Sequence, residues 1–161
     1  MTKKEKKKHA FSLVLASDHA GIVLKQKVYE YLGARGFVVL DMGPFTTDRV
    51  DYPDFIIPAC EVIAQSDGKI RGIMICCTGI GACISANKVK GIRASLCFDA
   101  WSARLTRSHN DSNVLCLGQG AAAGKNGAWQ RILGAWLKTK FSGDLRHLRR
   151  LRKIALYEGR K

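Results

Sequence analysis

The chain has 161 residues, 47% hydrophobic and 25% charged, with a formal net charge of +14. That is enough for one domain with a real core, and no apolar run reaches the ~20 residues of a bilayer span. The charge excess is terminal: residues 2–8 hold five lysines and one glutamate, and residues 138–161 hold nine Lys/Arg against two acids. The nearly balanced body between them disfavours a nucleic-acid-binding face.

Residues 1–10 read as a basic, disordered tail. No long apolar segment with a small-residue cleavage site follows, so no signal peptide is expected and the cytoplasm is the expected location. A domain over 11–143 then alternates strands and helices. "FSLVLA" (11–16) is a strand and "GIVLKQKVYEYLGARG" (21–36) a helix with a glycine stop. "FVVLDMG" (37–43) is a strand, 44–53 a loop with Pro44 and Pro53, and 54–66 a helix with Pro58 near its first turn. "IRGIMICC" (70–77) is the third strand, 81–89 a helix, and "GIRASLCF" (91–98) the fourth strand. Asp99 is the expected N-cap of a helix over 99–109. "NVLCLG" (113–118) is the fifth strand, and 124–139 an amphipathic helix with Trp129 and Trp136. Residues 144–161 add an arginine-rich helix with Leu148, Leu151 and Ile154 at helical spacing. Its charges suit a phosphate, or they snorkel over apolar surface.

Five short apolar strands alternating with helices predict an α/β fold. It is a three-layer αβα sandwich on a five-stranded parallel sheet, Rossmann-like. Ligands in such folds bind beyond the carboxyl ends of the strands. The six cysteines lie mostly in strand-like runs, which reads as free thiols in a reducing compartment. No Cys/His group has zinc-site spacing, so no metal is expected.

"ICCTGIGACISANK" (75–88) is the stretch with chemistry. Gly79 and Gly81 let the backbone approach a ligand closely. A helix start just beyond them aims N–H groups at an anion. A third glycine is missing for a dinucleotide fingerprint, and no Gly-Lys-Ser/Thr follows for a P-loop. A thiol beside such N–H groups suits a nucleophile or general base. On the residues alone, two buried cysteines ending a strand fit as well.

The blocks "SDHAG" (17–21), "DYPD" (51–54), "ICCTGIG" (75–81), "SANK" (85–88), "GIRA" (91–94) and "SHNDSNVL" (108–115) stand in order along the chain. In these blocks the sequence resembles the type B ribose-5-phosphate isomerases, within the family that includes galactose-6-phosphate isomerase subunits. The resemblance runs from about Phe11 to about Ile154. It implies a cofactor-free aldose–ketose isomerase of the pentose phosphate pathway, acting on ribose 5-phosphate and ribulose 5-phosphate through an enediolate. It implies Cys76 as the base, since Ala82 stands where other members carry glutamate. It implies Thr78 moving protons between O1 and O2, and the backbone of Cys77, Gly79 and Gly81 holding the enediolate oxygens. His109, with Asp18 assisting, is implied as the ring-opening acid–base group. Without the resemblance His109 reads as a helix-end histidine bonding a carbonyl. Asn110, Tyr52 and His19 are implied around the substrate. Arg146 and Arg150, one helical turn apart, are implied at the phosphate, with Arg149 and Arg152 as competing registers after the extra Leu145. Gly120 departs from an arginine common in relatives, with Lys125 a possible substitute. The resemblance further implies a homodimer, sometimes a tetramer, in which Cys76 of one subunit faces His109 and Asn110 of its partner. Two alternatives remain open: an isomerase of a six-carbon 6-phosphate, and a non-catalytic basic nucleic-acid-associated module.

Overall fold

The structure, a computed structural model, describes residues 12–122 and 127–160. The expected basic tail and Lys125 lie outside them.

Five parallel strands form one sheet in the order β2-β1-β3-β5-β4. They are β1 (Ser12–Ser17), β2 (Val38–Asp41), β3 (Ile70–Cys76), β4 (Ala94–Leu96) and β5 (Val114–Gly118). In the central strands both faces are buried, as period-2 geometry requires of a covered parallel sheet. Leu13, Leu15, Ile73, Ile75, Leu115 and Leu117 point to one face. Val14, Ala16, Met74, Cys76, Val114 and Cys116 point to the other.

Helices cover each face with residues at three- and four-residue spacing. On the first face lie α1 (Ile22–Gly33), α4 (Ala100–Asn110) and, past the short α5 (Gln119–Ala122), α6 (Ala128–Lys138). Leu24, Val28 and Leu32 of α1 pack there with Trp129, Ile132, Leu133 and Trp136 of α6. Trp136 is fully buried, and its indole N–H donates to Ser112 Oγ at 2.8 Å, so the ring carries no unsatisfied donor. On the second face lie α2 (Tyr52–Ala64) and α3 (Ile80–Ala86). The last helix, α7 (Leu145–Tyr157), lies against the end of α4. The fold is thus the expected three-layer αβα sandwich.

Local departures have local causes. The predicted fourth strand, 91–98, shrinks to Ala94–Leu96. Gly91 turns at φ 86°, and the Arg93 amide donates to the Asn113 side chain at 2.7 Å and not to a neighbouring strand. The second helix starts at Tyr52, two residues early, because Pro53 fits a first turn that needs no N–H. Pro58 then sits mid-helix, where the carbonyl it leaves unbonded belongs to exposed Asp54 and can face water. The helix expected from 124 begins at Ala128, and α5 was not foreseen.

From β1 the chain steps to β2 on one side of the sheet and to β3 on the other. The carboxyl ends of β1 and β3 therefore open a crevice at a topological switch point.

Candidate active site

Cys76 ends β3 on the α2/α3 face, and its side chain is buried. The next residues turn sharply into α3. Gly79 adopts φ 79°, and its N–H donates to Cys76 Sγ at 3.1 Å. A Cβ at Gly79 would stand 2.8 Å from the Gly118 nitrogen and from the Leu117 carbonyl carbon. A Cβ at Gly81 would stand 2.7 Å from Tyr52 Cζ, so the Tyr52 ring lies directly on the start of α3. Both glycines are thus required by close approach, and Gly79 also by its left-handed φ.

The amide ledger of this turn is partly committed. Besides Gly79, the Ile80 N–H donates to Thr78 Oγ1 at 3.2 Å. The first bond inside α3 is Cys83 N–H to Gly79 O, so the Gly81 and Ala82 amides have no partner within the helix. Thr78 and Cys77 are exposed beside them, and the Cys77 carbonyl accepts the Gly120 N–H.

The crevice is completed from β1 and the β2–α2 loop. Asp18 is buried, and its Oδ1 accepts the Gly21 N–H at 2.8 Å, capping a 3-10 turn over His19–Gly21. His19 Nδ1 lies 3.1 Å from the Val50 carbonyl oxygen and 3.3 Å from the Val50 nitrogen. The ring is held through one nitrogen and presents the other to a cleft of ≈ 710 Å³, walled by Arg49, Val50, Asp51, Asp54 and Phe55. Arg49 was not singled out from sequence, and Asp51 stood there only within the block "DYPD" with no role of its own.

The remaining site candidates stand elsewhere. α4 starts at the carboxyl edge of the sheet and returns to the amino edge, so His109 and Asn110 lie beyond the start of β5. Val114 is in register with Gly72, and Cys76 with Gly118. Those four residues of strand put about 13 Å between the two edges at ~3.3 Å per residue. At this amino edge His109 stacks on His147 with ring centroids 4.2 Å apart. His147 is buried, and its Nδ1 is 3.0 Å from Ser142 Oγ. Burial holds its pKa below the ordinary histidine value; His109 and Arg146 add to that, and Asp144 opposes it. Arg146 and Arg150 are exposed on α7 beside it. Within one chain Cys76, Thr78, Tyr52, His19 and Asp18 share the carboxyl edge, while His109, Asn110, Arg146 and Arg150 do not join them. Among the described residues no group of three His, Cys, Asp or Glu side chains could hold a metal ion, and no helix is long and apolar enough to cross a membrane.

Residues 13–154 match the ribose/galactose isomerase family. The chain belongs to it. The ribose-5-phosphate isomerase B of Escherichia coli is 40% identical over 150-odd residues, covering 92% of this chain and 97% of that protein. The crystal structure of ribose-5-phosphate isomerase B from Mycoplasma genitalium, with bound ribulose-5-phosphate, superposes with a TM-score of 0.88. It is 39% identical and spans 94% of this chain and 99% of that one. The enzyme of the same name from Clostridium thermocellum gives a TM-score of 0.87 at 40% identity, over 92% and 98% of the two chains. In this ribose/galactose isomerase family member the cysteine–glycine turn and the histidine pair stand at opposite edges of the one sheet.

Proposed function

We propose that this chain interconverts ribose 5-phosphate and ribulose 5-phosphate, without metal or organic cofactor, at sites shared by two protomers. The observation that carries the reading is the buried Cys76 sulfur at the switch-point crevice, with the Gly79 amide on it and free helix-start amides beside it.

The Cys76 thiolate takes the proton from C2 of the open-chain aldose. The electrons pass into the C1–C2 bond, and the aldehyde oxygen becomes an enediolate oxygen. The Gly81 and Ala82 amides face that charge, a preorganised anion site. Thr78 transfers a proton between O1 and O2, and the Cys76 thiol returns its proton to C1. The balance is an isomerisation with the thiolate restored. Before that step the furanose must open, and His109 serves as the acid–base group, with Asp18 at the far side of the crevice. Asn110, His19 and Tyr52 bind sugar oxygens, and Arg146 and Arg150 the phosphate.

His109 and Cys76 of one chain are too far apart for one proton-transfer site, which needs heavy atoms within about 3 Å. A two-fold dimer brings the amino edge of one protomer to the carboxyl edge of the other. Ile80, Ile84, Phe98 and Trp101 are each more than half exposed on α3, the turn after β4 and the start of α4, an apolar surface suited to such contact. The reading places the reaction in the pentose phosphate pathway of the cytoplasm, where six free cysteines persist reduced.

The test is a coupled isomerisation assay on a panel of five- and six-carbon aldose phosphates. Turnover is expected with ribose 5-phosphate and none with the Cys76→Ala variant. A preference for a six-carbon substrate, or full activity without Cys76, would overturn it.

A further inference from the structure

We propose that Cys83 and Cys116 form a peroxide-responsive thiol pair, in which Cys83 is oxidised first and Cys116 closes a disulfide between α3 and β5.

Four free thiols meet on the second face of the sheet: Cys60 of α2, Cys76 of β3, Cys83 of α3 and Cys116 of β5. Cys76 belongs to the crevice already described. Cys60 and Cys116 are fully buried, whereas Cys83 is half-buried. Cys83 lies near the middle of α3 and packs onto the sheet where β4 meets β5. The register there sets Leu96 opposite Cys116.

Several groups converge on the Cys83 sulfur. The Cys116 S–H donates to it, and so does the Leu96 backbone N–H. The Asn87 side-chain amide is 3.6 Å away, and the Ala94 carbonyl oxygen is also at 3.6 Å. Three of these four neighbours are donors, which favour the thiolate. Cys116 contributes most, and with Leu96 and Asn87 it brings Cys83 down to about 7 against the opposing effect of burial. Burial instead pushes Cys116 well up, and Cys60 to about 12. Asn87 is exposed, so the sulfur it touches lies next to solvent, within reach of a molecule as small as a peroxide. A thiol with a lowered pKa, open to solvent and touching a second thiol, has the three properties of a redox-responsive cysteine.

The chemistry closes on these two residues and one peroxide. The Cys83 thiolate attacks a peroxide oxygen, the O–O bond breaks, hydroxide leaves, and Cys83 becomes a sulfenic acid. The Cys116 sulfur then attacks the Cys83 sulfur. The S–O bond breaks, and that hydroxyl leaves with the Cys116 proton as water. The two sulfurs lose two electrons, and the peroxide is reduced to one hydroxide and one water. The sulfurs are already in hydrogen-bond contact and α3 packs on β5, so a bond of ~2.05 Å needs no change of fold. In a reducing compartment such a bond is transient and reopened by small thiols. While closed, it tethers to the sheet the short helix whose start is the Gly79 turn.

The experiment treats the native full chain with hydrogen peroxide, blocks the remaining thiols in denaturant, and maps tryptic peptides by tandem mass spectrometry. Peptides 72–88 and 108–125 should appear joined, with loss of two hydrogens, and separate on adding dithiothreitol. The first peptide also holds Cys76 and Cys77, so variants assign the bond. The link should persist in Cys76→Ala and in Cys77→Ala, and be lost in Cys83→Ser and in Cys116→Ala. Dimedone, which traps sulfenic acid, should leave Cys116 unlabelled in Cys83→Ser, since a buried thiol is not the one attacked. The linked chain should run as a monomer on a non-reducing gel. No link in the wild-type chain, a link that survives in Cys83→Ser or requires Cys76, or a dimer-sized product would overturn the proposal.

Discussion

The shared-site reading makes a quantitative demand on mixed dimers. Cys76→Ala removes the base at one edge of the sheet, and His109→Ala removes the ring-opening group at the other. By the β3–β5 register the two edges are about 13 Å apart in one chain. Each homodimer of a variant should therefore be inactive on ribose 5-phosphate, because every site lacks one group. In a mixed dimer one site collects both lesions. The other joins intact Cys76 from the His109→Ala chain to intact His109 from the Cys76→Ala chain. Random exchange makes about half the dimers mixed, each with one working site of two, so activity should recover to about a quarter of wild type. The assay is co-denaturation and refolding of the two variants, with each refolded alone as control and heterodimers counted by differential tagging. Zero recovery with heterodimers demonstrated would refute the reasoning, since it would mean that both groups act from one chain.

Gly79→Ala should destabilise the chain by about 3 kcal/mol and abolish turnover, read by urea unfolding and the isomerase assay. The figure combines ~1–2 kcal/mol for a left-handed L-residue with ~1–3 kcal/mol for crowding the β5 backbone. His109→Ala should be much slower on ribose 5-phosphate and far less impaired on a four-carbon aldose phosphate that cannot close a furanose; equal losses would count against a ring-opening role. Cys83 has its pKa lowered to about 7, chiefly by a hydrogen bond from Cys116, against the opposing effect of burial. Its native-state alkylation should therefore rise through pH ~7, while Cys60 and Cys97, raised to about 12 and 11 by burial, stay unmodified in peptide maps up to pH 9. Lys25→Met should cost about 3 kcal/mol in urea, because it leaves the largely buried Asp41 carboxylate without its cation.

What could be read in the sequence was whatever depends on neighbours along the chain. Strand phases showed as apolar runs, and the Asp99 cap showed because its partner, the Ser102 amide, is three residues away. The Gly79 turn showed because a glycine pair between a strand and a helix has few other uses. What escaped depends on distant partners. Lys25 lies in a polar-looking helix segment, yet it is buried by its pairing with Asp41 and by the Phe45 ring above it. Gln119 accepts the Leu24 amide across 95 residues. The amino-edge position of His109 follows from β4 and β5 being parallel, which the strand–helix alternation predicts, but its neighbours there do not, because they depend on β5 inserting between β3 and β4 and on α7 packing against the end of α4.

Charge gives an independent reason for the carboxyl-edge crevice to need a second protomer. The cleft beside His19 is walled by one arginine, Arg49, and two carboxylates, Asp51 and Asp54, and the buried Asp18 carboxylate stands next to His19. With three carboxylates against one guanidinium, that wall repels a phosphate dianion. An arginine at position 120 would offset this, and among the described residues a Cβ there meets only the Cys77 carbonyl oxygen, at an ordinary 3.7 Å. The chain has glycine instead. A run of exposed cations stands on α7, where Arg146, Arg149, Arg150 and Arg152 follow one another along a helix packed at the opposite edge. Their own crevice is out of reach by the same geometry that separates His109 from Cys76. On the proposed shared site, a partner's α7 would supply the charge, by the same two-fold operation that would deliver His109. One symmetry element would then provide both the ring-opening group and the phosphate's counter-charge, with the apolar surface that includes α3 as the contact that holds the two protomers together.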